Sequence, residues 1–315
     1  MPESFSVYKC GSNLEKKCRQ GEFVITAELG PPRGNNLSVI ETKAAALKGI
    51  VDAVNITDNQ TAIVRMSSMA TAALLIRLGL EPVMQIVTRD RNRIALMSDI
   101  IGARALGIKN ILCLSGDHQV FGNHAFCKNV YDVDSIQLLS MLKIMRDQGV
   151  FPETREPIDG NLDIFIGAAD APFSEPVDFR PYRLRKKIDA GADFIQTQCI
   201  FDIPRFRDYM QKIQDLGVTE QSYILAGIIP LKSLRMAEYM ASKVPGVIIP
   251  DIIMKSMKNA ATGKASEEGI KICCDIIQQV REIPGLAGVH LMAIEWEHRV
   301  AEIIERSALR DKPAD

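Results

Sequence analysis

The stretch Lys109-Asn110-Ile111-Leu112-Cys113-Leu114-Ser115-Gly116-Asp117-His118 decides the fold. Ile111 to Leu114 is apolar without a break, the pattern of a strand buried on both faces. The run stops at Ser115-Gly116, where the chain must turn, and a carboxylate and an imidazole follow at once. Upstream, Asp99 to Gly107 reads as a helix closed by a glycine C-cap. A helix therefore feeds a buried strand, and the strand delivers Asp117 to one edge of a sheet. In α/β folds, ligands bind at that carboxyl edge.

Outward from this unit the same pattern recurs. Strands are expected at 22–28, 51–56, 82–88, 164–170, 194–198, 223–230 and 288–294. Helices are expected between them, with Ser38 capping the helix 39–48 and Asp134 capping the helix 135–147. Eight strand–helix units in 315 residues, with strands too apolar to be half exposed, predict a closed (β/α)8 TIM barrel. An open doubly wound sheet would need a phosphate loop, and neither GxGxxG nor GxxxxGK[ST] occurs. Residues 1–20 are expected to form an N-terminal arm or helix, residues 21–308 the barrel, and residues 309–315 a tail.

The composition narrows the function. The formal net charge is -1, so no global field attracts nucleic acid. The basic cluster Arg183 to Lys187 reads as a solvated helix face. No apolar run approaches the ~20 residues that span a bilayer, and the polar start of the chain is not a signal peptide. The seven cysteines show no CxxC spacing and read as free thiols of a reducing compartment, so a cytoplasmic location is expected. Histidine is scarce and no metal site is expected. Met66 and Met69, one helical turn apart, read as packing.

In a barrel the strand ends converge. They carry Glu28, Thr57-Asp58, Gln85, Thr88, Ser115-Gly116-Asp117, Asp170, Gln196, Gln198 and Glu295. Taken singly, each could do no more than cap a strand or bond a loop. Together they predict a site in which Glu28 and Asp117 face each other, one moving a proton and the other stabilising charge. The amides suit a planar heterocycle, because each offers a donor and an acceptor. The reaction itself does not follow from these residues.

Four motifs carry a resemblance. Phe23-Val-Ile-Thr-Ala-Glu-Leu-Gly-Pro-Pro32, Val54-Asn-Ile-Thr-Asp-Asn59, Leu114-Ser-Gly-Asp117 and Gly191-Ala-Asp-Phe-Ile-Gln-Thr-Gln198 occur in the order found in the methylenetetrahydrofolate reductase family, and the chain resembles that family over residues 10–306. The resemblance implies a flavin-dependent barrel that reduces methylenetetrahydrofolate to methyltetrahydrofolate. Glu28 matches the family's general acid, Asp117 the aspartate beside flavin and pterin, and Gln198 the glutamine that holds folate. Thr57 and Asp58 match positions against the flavin, and Lys187 a basic residue towards its phosphates. Gln85, Ser115, Gly116, Asp132 and Asp170 complete the expected cofactor side. The flavin is FAD by family, with FMN as an alternative.

Some residues depart from the pattern. Gln85 and Ser115 stand where better-known bacterial members have His and Arg. Leu234 stands in place of a Phe that lies against nicotinamide, and Glu295-Trp296 in place of Asn-Arg. These changes point to electron delivery by a zinc or iron–sulfur partner subunit, as in a short anaerobic branch of the family. Self-association is left open. Two other readings remain at this level: a pterin-binding barrel methyltransferase without flavin, and a flavin-binding subunit that only relays electrons. The second has no use for an acid at Glu28.

Overall fold

The computed structural model describes residues 8–310. Eight strands, β1 (Val24–Leu29), β2 (Ala53–Ile56), β3 (Pro82–Val87), β4 (Asn110–Leu114), β5 (Phe165–Asp170), β6 (Phe194–Cys199), β7 (Tyr223–Ile228) and β8 (Leu286–Leu291), pair in sequence order and close into a barrel. Every pairing is parallel, and β8 closes on β1 through Val24 opposite Gly288 and Thr26 opposite His290. Around the barrel lie α2 (Leu37–Leu47), α3 (Ser68–Arg77), α4 (Arg93–Ala105), α5 (Ser135–Gln148), α6 (Arg180–Asp189), α7 (Ile203–Asp215), α8 (Leu234–Lys243), α9 (Asp251–Asn259), α10 (Ala265–Arg281) and α11 (Val300–Arg306), with α1 (Asn13–Gln20) ahead of β1. The (β/α)8 architecture is the one that the strand count predicts.

Alternation along each strand builds two cores. Ile25, Ala27, Leu29, Val54, Ile56, Met84 and Ile86 face outward and pack under the helices. Val24, Val83, Leu112, Phe165, Phe194 and Leu225 face inward and fill the lower barrel. The rings of Phe165 and Phe194 stack with centroids 5.1 Å apart. Gly167 makes room for them, since a Cβ there would lie 2.3 Å from the Phe194 ring.

Above this apolar layer the interior turns polar. Asn55 and Gln196 exchange amide hydrogen bonds at 2.5 and 3.0 Å. Gln196 also donates to Thr26 Oγ1, which lies 2.9 Å from His290 Nδ1. These groups satisfy one another, as buried polar groups must. Gln196, expected at a ligand, is thus spent largely on closing this network.

The lower end is stoppered. Leu14 and Cys18 of α1 join the same apolar cluster as the barrel floor. Ser12 caps the helix by accepting from Glu15 N–H at 3.1 Å, and Gly21, at φ 72°, ends it. The Glu81 carboxylate, on the turn before β3, accepts from Asn13 and Leu14 N–H at 2.6 and 2.8 Å, where the helix dipole favours an anion.

Two boundary readings are corrected. The cap of α2 is Asn36, whose Oδ1 accepts from Ser38 N–H and Oγ–H at 3.1 and 2.8 Å; Ser38 already lies inside the helix. Leu309 and Arg310, expected to open a tail, are packed: Leu309 is buried, and Arg310 pairs with Asp52 at 2.9 Å. The rest of that tail, residues 311–315, lies outside the described residues.

Candidate active site

At the carboxyl end of the strands a cavity of about 380 Å³ opens, lined by Glu28, Gln85, Leu112, Leu114, Asp170, Lys187, Gln198 and Met292 among others. Glu28 ends an inward-facing row, Val24, Thr26, Glu28, on β1. It is 7 % exposed. Burial disfavours its charged form and pushes its carboxyl up to about 7, against a smaller lowering by a hydrogen bond from Gln60. That bond, Gln60 Nε2 to Glu28 Oε1 at 3.3 Å, is the one hydrogen bond on the Glu28 side chain among the described residues. Glu297, Lys43 and Arg65 add weaker charge effects.

The Pro31-Pro32 loop after β1 is held by its neighbours. Arg65 donates to Pro31 C=O at 2.8 Å, and Met66 N–H to Pro32 C=O at 2.9 Å. Lys43 of α2 ties the mouth across β1 and β8: it donates to Gly30 C=O at 3.3 Å and pairs with Glu295 and Glu297 at 2.9 and 2.8 Å.

The opposite wall is cationic. Arg180, Arg183 and Lys187 of α6 line the same cavity. Lys187 is buried, donates to Ala169 C=O and lies 3.8 Å from Asp170. Burial holds its ammonium below the ordinary lysine range, although Asp170 opposes this. Asp170 is fixed from behind by Tyr209 of α7, whose hydroxyl donates at 2.6 Å. Arg183 makes no hydrogen bond or ion pair among the described residues. The expectation that Arg183 to Lys187 is a solvated face is therefore corrected. Helical spacing turns Arg180, Arg183, Leu184 and Lys187 to the barrel side, and Lys186 stays exposed.

The remaining predicted residues divide. Gln85 and Gln198 line the cavity, and Gln198 accepts from Cys199 N–H at 3.0 Å. Thr57 is buried and its hydroxyl finds no partner among the described residues. Asp58 is committed elsewhere, accepting from Val87 N–H at 3.0 Å and pairing with Arg91 at 2.7 Å. Asp132 pairs with Arg93 at the start of α4, 2.9 Å away, and lines neither this cavity nor the next. Ser115, Gly116 and Asp117 form a turn around Arg89, which donates to Asp117 C=O at 3.0 Å and through its own N–H to Ser115 C=O at 3.1 Å. Gly116, at φ 82°, keeps that turn open to Arg89. The Asp117 side chain is exposed and is not among the residues that line the cavity.

Three participants escape the sequence reading: Gln60, Arg89 and the Arg180–Arg183 pair. A second cavity, of about 720 Å³, lies between Asn59, Ala62, Arg89 and the loop Gln119–Cys127. Leu234 begins α8, half-buried against the core. Trp296 sits between Lys232 and Arg299, with cations 5.3 and 5.4 Å from its ring. Among the described residues no group of three or more His, Cys, Asp or Glu could hold a metal, and no helix is long and apolar enough to cross a membrane.

The family model described as methylenetetrahydrofolate reductase matches residues 13–308. A Caenorhabditis elegans protein named probable methylenetetrahydrofolate reductase (NADPH) is 23% identical over 255 residues, covering 78% of this chain and 35% of its own. Methylenetetrahydrofolate reductase 1 of Schizosaccharomyces pombe is 26% identical over 220 residues, covering 67% and 33%. The chain spans about a third of the length of these curated relatives. Among solved structures, an uncharacterized Clostridium thermocellum protein that binds two copies of 5-methyl-5,6,7,8-tetrahydrofolic acid superposes with a TM-score of 0.63 at 15% identity, over 96% of this chain and 100% of that one. Oxaloacetate acetylhydrolase superposes at 0.51 and 11% identity, over 98% and 90%. At such identities the likeness speaks for the fold alone.

Proposed function

The chain belongs to the methylenetetrahydrofolate reductase family, and from that premise we propose that it reduces 5,10-methylenetetrahydrofolate to 5-methyltetrahydrofolate with a non-covalent flavin, FAD or FMN. The observation that carries the reading is Glu28, a buried carboxyl at the cavity floor whose proton is held to about pH 7. Opening the five-membered ring needs a proton at a folate nitrogen. An acid titrating near the working pH both gives that proton and recovers it. An electron relay would not need such a group.

The residues present fit a flavin. Lys187, Arg180 and Arg183 form an anion-binding wall for its phosphate, and Arg183 has no competing partner among the described residues. Leu112, Leu114 and Met292 offer an apolar bed for a planar ring, and the unpartnered Thr57 hydroxyl is a spare donor near the mouth. When bound, a flavin supplies the two-electron reduction of the one-carbon unit. The protein's own part is to orient and to move a proton. Gln198 holds the pterin through its amide, Gln85 stands on the cofactor side, and Glu28 protonates the nitrogen that leaves the bridging carbon. Methyltetrahydrofolate bound by the Clostridium thermocellum neighbour supports a folate substrate here. Leu234 and Glu295-Trp296 support a protein electron donor, a zinc or iron–sulfur subunit, in place of nicotinamide.

The test is stopped-flow of both half-reactions, with chain reconstituted with FAD or FMN and a one-electron dye as donor. Wild type is expected to bind flavin and to form methyltetrahydrofolate. Glu28→Gln is expected to bind flavin and take up electrons normally, yet to lose at least about 10²-fold in folate reduction. A chain that takes up neither flavin would overturn the proposal.

A further inference from the structure

The loop Asn59–Ile63, between β2 and α3, is held in an uncommon conformation. Asn59, Thr61 and Ala62 have φ of 45°, 59° and 55°, the left-handed region that disfavours residues with a Cβ. Such strain persists only when the surroundings over-determine it. Here they do. Asn59 Oδ1 accepts from Arg65 N–H at 3.0 Å and its amide donates to Asp90 at 3.3 Å, while Arg89 donates to Asn59 C=O at 3.2 Å. On the far side Gly122 abuts Ala62, where a Cβ would lie 1.9 Å from the Ala62 carbonyl oxygen. The residue that the strained run presents inward is Gln60, 3.3 Å from Glu28.

We propose that Gln60 is a positioning residue for Glu28, held out by this left-handed loop so that it fixes one carboxyl oxygen and leaves the other to the folate nitrogen. The inference rests on the reductase reading and deepens it. A cation in this place would hold Glu28 ionised and spoil it as an acid, and an apolar residue would leave the carboxyl free to turn. A primary amide does neither. Its NH₂ donates to the carboxylate, and after rotation its C=O accepts from the carboxylic acid. A contact is therefore available in both protonation states that a proton-transfer cycle visits, and it is the stronger to the carboxylate.

The charged groups nearest Glu28 are more remote or already engaged. Lys43 of α2 is paired with Glu295 and Glu297, and Arg65 donates to Pro31 C=O. His290 of β8 lines the cavity, but burial pulls it down to about 3, so it stays neutral. Arg180, Arg183, Lys187 and Asp170 belong to the opposite wall.

The experiment titrates Glu28 directly. In chain without flavin, carboxyl-¹³C-labelled glutamate is followed by NMR against pH, the Glu28 signal being assigned by its loss in Glu28→Gln. Loss of a hydrogen bond that favours the charged form, with burial unchanged, should carry the midpoint in Gln60→Leu from about 7 towards about 8. The falling limb of the pH profile for folate reduction should move upward by the same amount, with flavin affinity unchanged within about twofold. Gln60→Glu is a second variant should Gln60→Leu not fold. Two facing carboxyls share a proton, so its upper midpoint should also rise. A Glu28 midpoint and pH profile indifferent to both variants would overturn the proposal. Wild type that reduces no folate while its Glu28 midpoint still depends on Gln60 would overturn the reductase reading instead, so the two failures are told apart.

Discussion

Glu28 gives up most of its hydration at the barrel mouth, and this has a consequence for stability as well as for chemistry. Its carboxyl titrates near 7 in the folded chain, against an ordinary 4.5. The folded state therefore binds the proton more tightly than the unfolded one. That contribution is complete below pH ~4.5 and is lost as pH rises through ~7, amounting to about 3 kcal/mol when fully lost. Glu28→Gln cannot ionise and should escape the loss. Thermal denaturation at several pH values is expected to show the variant gaining on wild type from pH 5 to pH 9; a difference constant with pH would mean that Glu28 is not held neutral. Glu28 was legible because a carboxylate at the end of an apolar strand has one obvious place to go. Gln60 was not, since its position rests on left-handed backbone at Asn59, Thr61 and Ala62, which no side-chain pattern announces. For Asp117 the place after β4 was legible, but not that Arg89 would gather the turn through its contacts to the Ser115 and Asp117 carbonyls.

Among elements, α6 is the most instructive. Within it Arg183-Leu-Arg-Lys-Lys187 reads as a charge run, and charge runs are usually solvated. Yet positions 180, 183, 184 and 187 follow the i, i+3, i+4, i+7 spacing of one helical face, and Leu184 and Lys187 on it are buried. Periodicity was the available signal, and charge density masked it. Lys187→Met or Arg183→Ala should weaken flavin binding about 10- to 100-fold, the scale of one charge-assisted hydrogen bond. Lys186→Ala, on the exposed side, should leave it unchanged. Fluorescence titration with FMN and FAD reads the difference, and equal effects at Lys186 and Lys187 would reduce the wall to a diffuse field. The strands were legible to within a few residues, because burial on both faces forces long apolar runs. The α2 cap was misplaced because Asn36 and Ser38 are equally good capping residues and only backbone geometry chooses between them.

For the molecule as a whole, counting units sufficed for the barrel, since each parallel pairing needs a long crossover, usually a helix. What the count could not supply was the role of residues 13–20, whose short helical pattern does not say what the helix covers. With Leu14 and Cys18 packed under the floor and the paired amides of Asn55 and Gln196 above it, the cavity beside Glu28 opens at the carboxyl end of the strands. On the proposed reading, an electron donor and a folate that both need the ground beside Glu28 must queue for it, each leaving before the other enters. Initial rates measured across both concentrations should then give parallel lines in double-reciprocal form. Lines that cross would mean two guests at once, and so a second entrance.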